Sequence, residues 1–149
     1  MSQVLTDLSA LLKLEVIEQG IYRGQSQDLG FPALFGGQVM GQALSAAQET
    51  IDKSRNVHSL HSYFLRPGDA KKSVVYEVEN IRDGKSFSTR RIKAIQNGKA
   101  IFYMTASFQT PEQGFDHQEI MPEVSSPENI PSYSDFIKAN QEHIPPSIR

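Results

Sequence analysis

QVMGQALSAAQETI, residues 38–51, is the stretch on which the fold turns. Its alanines and unbranched side chains favour a helix, and no charged residue occurs before Glu49. A helix uncharged for about three turns offers no face to water, so burial on most sides is expected. What buries it must come from the flanking sequence. Upstream, Val4, Leu5, Leu8, Leu11 and Leu12 fall at helical spacing, predicting a short amphipathic helix over residues 3–14. EVIEQGIYRGQS (15–26) reads as a strand interrupted at Gly20, and QDLGFPALFGG reads as a loop punctuated by Gly30, Pro32 and the Gly36-Gly37 pair. Downstream the period changes to strands. VHSLHSYFLR runs into the turn Pro67-Gly68-Asp69, and SVVYEVENI (73–81) runs to Asp83-Gly84. KSFSTRRIKAIQ (85–96) ends at Asn97-Gly98, the signature of a type I′ hairpin, before KAIFYMTASFQ (99–109). Four consecutive strands with short turns predict an antiparallel meander. One such sheet curled around the uncharged helix gives an α+β domain over residues 1–110. Residues 111–149, with six of the chain's prolines and little periodicity, read as a tail or inter-domain linker holding one short helix at 134–144.

Composition narrows the function. At 149 residues the chain is about one domain, long enough to bury a core. A net charge of −2 gives no global attraction to nucleic acid or an anionic membrane, so an anionic ligand needs a local basic patch. Without cysteine there is no disulfide, thiolate nucleophile or Cys-ligated zinc. MSQVLTDLSALLKL has an acid where a secretory signal needs a basic segment, and no long apolar run follows. A cytoplasmic protein is expected.

Two features could carry chemistry. In HSLHSYFLRPGD (58–69), His58 and His61 stand three apart. On a regular strand that spacing puts them on opposite faces: His61 with Val57, Ser59 and Tyr63, His58 with Leu60, Ser62 and Phe64. They cannot share a metal there unless a bulge intervenes. Each either packs with one hydrogen bond or faces a ligand pocket. In FGGQVMGQAL, Gly36 and Gly37 open the buried helix, where first-turn N–H groups lack internal partners. Glycines let a ligand oxygen approach them, as in an oxyanion hole. No GK[ST] follows, so this is not a phosphate-binding P-loop.

Taken together, FGGQVMGQAL, HSLHSYFLRPGD and IRDGKSFSTRRIKAIQNGKAIFYMTASFQ resemble the first half of the acyl-CoA thioesterase II family. The resemblance extends from about residue 3 through the proline-rich tail. It implies a hot-dog fold, an antiparallel sheet wrapped around a central helix. It further implies hydrolysis of acyl-CoA to fatty acid and CoA, no metal or cofactor, and homo-oligomers of paired hot dogs. Family members carry two fused hot-dog domains, with an acid–hydroxyl–amide catalytic set in the second. That domain has no counterpart here, because the sequence runs out in ANQEHIPPSIR, inside the expected linker. No catalytic residue is therefore carried over, although His58 is kept as a candidate. Rough superposition of the two halves places Val57 at the hydroxyl position and Gln109 at the amide position, while the helix offers Gln38 and Gln42 instead of an acid. Valine cannot orient water and glutamine cannot act as a general base, so this half reads as a degenerate site. Paired hot dogs place substrate at their interface. The expected substrate contacts are Gly36, Gly37, Gln38, His58, His61 and Arg66, with His58 next to the helix. Arg66, Lys71, Lys72 and the Arg90-Arg91 pair are the basic groups available to CoA phosphates. The competing readings are a non-catalytic hot-dog module that pairs with another copy, and a hot-dog hydratase. The latter needs a catalytic histidine with an acid positioned over the acyl chain, and no acid is paired with His58 or His61 in the sequence.

Overall fold

The computed structural model describes residues 2–143. The chain divides into a unit from Met1 to Gln113 and a second from Gly114 onward. In the first unit the elements are α1 (Gln3–Leu12), β1 (Glu15–Glu18), β2 (Ile21–Gly24), α2 (Gly36–Gln48), β3 (Asn56–Phe64), β4 (Val74–Asp83), β5 (Phe87–Gln96) and β6 (Lys99–Gln109). The six strands form one antiparallel sheet in the order β1-β2-β4-β5-β6-β3.

α2 lies against β2, β4, β5 and β6. Gln38, Val39, Gln42, Ala43, Ala46 and Ala47 form its buried stripe at the i, i+1, i+4, i+5 spacing of one helical face. The alanines let the helix axis settle close to Tyr76, Ile92, Phe102, Met104 and Phe108 of the sheet. Close approach is clearest at Gly24 on β2, where a Cβ would lie 2.5 Å from Gln42 Oε1.

Two expectations are corrected. The interrupted strand at 15–26 is a hairpin, because Gly20 takes φ +74° and lets Glu18 pair with Ile21. The predicted meander holds only for β4, β5 and β6, since β3 pairs with β6 on the far edge. The reason lies in the connection between Phe64 and Val74, which is too long for a tight hairpin. It is tied across the end of β6 by the Leu65 and Arg66 N–H groups, both donating to Ile101 O. The Asn97-Gly98 hairpin takes positive φ at both residues, as a type I′ turn requires.

The second unit holds a 3₁₀ turn (Pro127–Asn129), α3 (Tyr133–Ala139) and a further 3₁₀ turn (Gln141–His143). α3 begins with a capping box between Ser132 and Asp135. The helix expected at 134–144 is shorter than its sequence pattern, and residue 144 lies outside the described residues.

Candidate functional site

Phe35 precedes α2 as its N-cap and makes no side-chain capping bond, and the first two residues of the helix are Gly36 and Gly37. The next polar side chains along the helix are spent internally. Gln38 accepts from Gln27 N–H (3.1 Å) and donates to Gln25 O (3.1 Å). Gln42, fully buried, donates to Leu11 O (2.7 Å) and Gln25 O (2.8 Å) and accepts from the Tyr76 hydroxyl (2.8 Å). Burial pushes the Tyr76 pKa far up, keeping that hydroxyl a neutral donor. Both glutamines thus staple the segment after β2 to the helix. Gln38, expected to touch substrate, has its amide committed to backbone instead.

The histidines stand elsewhere than alternation predicts. Val57 pairs with Phe108 but Ser59 pairs with Ser107, so one extra residue sits in β3 at His58. This bulge resets the faces. Leu60, Ser62 and Phe64 pair with Ala106, Met104 and Phe102, which face α2, whereas Ser59, His61 and Tyr63 share the opposite, outer face. His58 also points outward: its Nε2 lies 2.8 Å from Ser107 Oγ, and its ring meets Phe87 edge-on at 5.6 Å. His58 is therefore not beside the helix. It shares the outer face with His61, whose ring stands 4.8 Å from that of Tyr63. Neither histidine has a carboxylate partner within bonding distance among the described residues, and no group of three or more His, Asp or Glu there could hold a metal.

Two of the expected contacts do come together. Gly36 and Arg66 both line an apolar cleft of about 440 Å³, walled by Leu34, Val39, Ile101 and Phe102 and roofed by Phe64. The cleft opens at the start of α2, between the helix and the β3–β6 end of the sheet. Gly36 is tight against its roof, since a Cβ there would lie 2.9 Å from Phe64 Cζ. Arg66 is exposed and donates one guanidinium N–H to Ala100 O at 2.6 Å, the one side-chain hydrogen bond it makes among the described residues. The sequence signal for Phe64 was its place in the Leu60, Ser62, Phe64 alternation, which put it on the helix face; its function as a roof needed the register with Phe102.

The other basic candidates divide. Arg91 pairs with Glu79 on the outer face, and Lys72 bonds Asn97 Oδ1 at 3.0 Å. Lys71 lies beside the neighbouring loop groove with Asp28 and Asp69. Arg90 is corrected outright, because it is 2% exposed and cannot reach a phosphate. All five of its N–H donors are used, on Thr50 Oγ1, Thr50 O, Arg82 O, Thr89 O and Asp83 Oδ1. Alternation in β5 carried the signal, since Arg90 shares its face with Ser88, Ile92 and Ala94.

The first turns of α2 hold no carboxylate, and Val57 packs against the core. Gln109, in register with Phe87, belongs to the other face.

Residues 24–109 match the family model described as the acyl-CoA thioesterase N-terminal domain. The chain is 52% identical over 130 residues to acyl-CoA thioesterase 2 of Haemophilus influenzae, covering 87% of this chain and 46% of that protein. The crystal structure of an acyl-CoA thioesterase II from Mycobacterium marinum superposes with a TM-score of 0.72 at 48% identity, over 81% of this chain and 45% of that one. A hot-dog protein from Alicyclobacillus acidocaldarius shares the fold at a TM-score of 0.72 and 22% identity, over 84% of this chain and 48% of its own. The chain thus spans under half the length of these relatives, and its sheet and central helix form a hot-dog fold. By this match and this identity, the chain belongs to the acyl-CoA thioesterase family, whose N-terminal domain it contains.

Proposed function

We propose that this chain acts as the N-terminal half of a thioesterase that hydrolyses fatty acyl-CoA to fatty acid and CoA by direct water attack. The acid–hydroxyl–amide set belongs, in this reading, to a second hot-dog domain, in the same chain or a separate one. The observation that carries it is Gln42. The central helix presents an amide, wholly engaged with Leu11, Gln25 and Tyr76, on the helix that would have to supply a general base. The site in this half is degenerate, and its contribution is to the pocket and to assembly. Gly36, with Gly37 beside it in the first helical turn, and Arg66 are its proposed substrate contacts. Gln38, His58 and His61 are left out for the geometric reasons above. A cytoplasmic setting belongs to the same reading, since a cysteine-free chain has no need of an oxidising compartment.

β3 supplies the means of assembly. It is an edge strand, and its outward backbone groups can add a strand from a second hot-dog domain or another copy. The same edge favours the second reading, a non-catalytic pairing module that forms homo-oligomers.

The test is an acyl-CoA hydrolysis assay with a thiol trap, using medium- and long-chain substrates. The 149-residue chain alone is expected to run ~10²–10⁴-fold below the intact enzyme, the usual cost of a missing general base. Adding the second domain should restore the rate. Turnover near ~10 per second by the chain alone would put the chemistry in this half; no hydrolysis with both domains present would leave the pairing module.

A further inference from the structure

We infer that a second cleft, between the β1–β2 hairpin and the C-terminal end of α2, is a binding site for a primary alkylammonium. It shares no residue with the cleft at Gly36 and Arg66 and owes nothing to the thioesterase reading. Val16 of β1 pairs with the buried Tyr22 yet is 64% exposed, so the helix leaves this corner of the sheet open. The hairpin turn is held to β4 by the Val78 N–H, which donates to Gly20 O at 2.7 Å and fixes one wall. The volume is about 450 Å³, within the ~300–1,000 Å³ of small-ligand sites.

The charge in this cleft is all of one sign. Glu18 and Glu49 both line it, no Lys or Arg does, and neither carboxylate has an ion-pair partner among the described residues. α2 brings the negative end of its dipole, with no basic residue in its last turn. Arg90 reaches Thr50 from the sheet, but it is already paired with Asp83 and does not line the cleft.

Tyr22 supplies the independent sign of a ligand. It is only 5% exposed and lines the cleft, yet its hydroxyl, unlike that of Tyr76, makes no hydrogen bond among the described residues. No buried side-chain polar atom there lacks a partner, so the Tyr22 oxygen is not itself buried and opens into the cleft. Burial, and then the Glu49 carboxylate, hold its pKa above the ordinary 10.0, which keeps it neutral with lone pairs to offer a donor. Two carboxylates and a hydroxyl match the three N–H donors of an ammonium, and Val16 and Val78 give an alkyl stem an apolar wall. A metal ion is a poorer match, since no group of three or more His, Asp or Glu among the described residues could hold one.

The probes are n-butylammonium at pH 7, 1-butanol as the neutral tail, butyrate as the opposite charge, and calcium as a bare cation. Nα-acetyl-lysine amide presents the same ammonium as a protein side chain would. Titrations of the full chain at low salt, followed by amide resonances, should give n-butylammonium a dissociation constant of ~1–10 mM. The shifts should centre on Gly20, Tyr22 and Thr50. Butanol and butyrate should bind at least tenfold more weakly, and raising the salt to ~0.15 M should weaken the amine. Glu49→Gln and Tyr22→Phe should each cost about three- to tenfold, whereas Glu15→Gln, whose carboxylate is taken by Arg23, should cost nothing. Tyr22→Phe removes a hydroxyl that bonds nothing in the protein, so its melting temperature should be unchanged and its lost affinity is not unfolding. Equal binding of amine and alcohol, tighter binding of calcium than of the amine, or indifference to both Glu49→Gln and Tyr22→Phe would each overturn the site. Acetyl-lysine amide binding as well as n-butylammonium would support the site and assign it to a partner's lysine; its failure beside a bound amine would support it as a site for a free amine.

Discussion

The two ends of α2 are built on opposite rules. Beyond its C-terminus, Thr50 and Arg55 are locked to the β4–β5 hairpin. Arg90 spends five donors there, and Arg55 bonds Ser88 as well as the carbonyls of Gly84 (2.7 Å) and Lys85 (3.1 Å). Asp83 Oδ1 accepts from Ser88 Oγ (2.7 Å) and Arg90 (2.8 Å). Among the described residues no buried side-chain polar atom lacks a partner. At the N-terminus there is no capping side chain, two glycines, a half-exposed phenylalanine and an exposed guanidinium. Polar satisfaction fixes one end of the helix, and the other has no comparable lock.

Arg90→Ala should break this contrast most severely. It removes a buried guanidinium and strands Thr50 O, Arg82 O and Asp83 at once. Breaking a buried pair costs ~3–5 kcal/mol, and the lower end is expected because Asp83 is 55% exposed and can hydrate. Urea unfolding measures it; a loss under ~1 kcal/mol would show that the lock is ornamental.

Acid sharpens the same point at smaller scale. The Ser88 hydroxyl, then Arg90, hold the Asp83 carboxyl below its ordinary 3.8. The unfolded chain therefore takes up this proton first. The stabilisation is fully present above 3.8 and fades as pH falls from there toward the lowered folded value. Solvent screening limits it to about 1 kcal/mol. The stability gap between the native chain and Asp83→Asn should shrink below that pH, whereas a gap constant across the acid range would mean that the carboxylate charge contributes nothing.

Gly36→Ala, at the open end, should change stability least, by less than ~1 kcal/mol, because alanine's helix preference offsets displacement of the Phe64 ring. Its effect should appear in the Phe64 aromatic resonances. A drop of several kcal/mol in melting experiments would show that both ends are equally rigid.

How much of this was legible in the sequence varies with the range of the interactions involved. The uncharged run from Gln38 gave away the central helix, and Asn97-Gly98 gave away its hairpin, because both depend on neighbours close in the chain. The placement of β3 beside β6 did not show, since nothing local to HSLHSYF says which strand it will meet. The bulge at His58 was hidden for the same reason, and it moved a candidate histidine to the other face of the sheet. Arg90 could have been found. Its alternation with Ile92 and Ala94 was present in RRIKA, but the adjacent Arg91 made the pair look like two basic groups available to a phosphate. The cleft at Gly36 and Arg66 was half visible, as two residues whose meeting needed the crossover after Phe64.

That crossover also orders events in time. β4, β5 and β6 are joined by short turns and can zip together from local contacts, whereas Asn56 must wait for Gln109 and Phe64 for Phe102. In synthesis order β3 precedes β6, so its pairing has to wait until β6 has been made. β3 carries Phe64 of the cleft and forms one edge of the sheet. The proposed substrate cleft and the proposed pairing edge therefore both depend on β3 reaching β6.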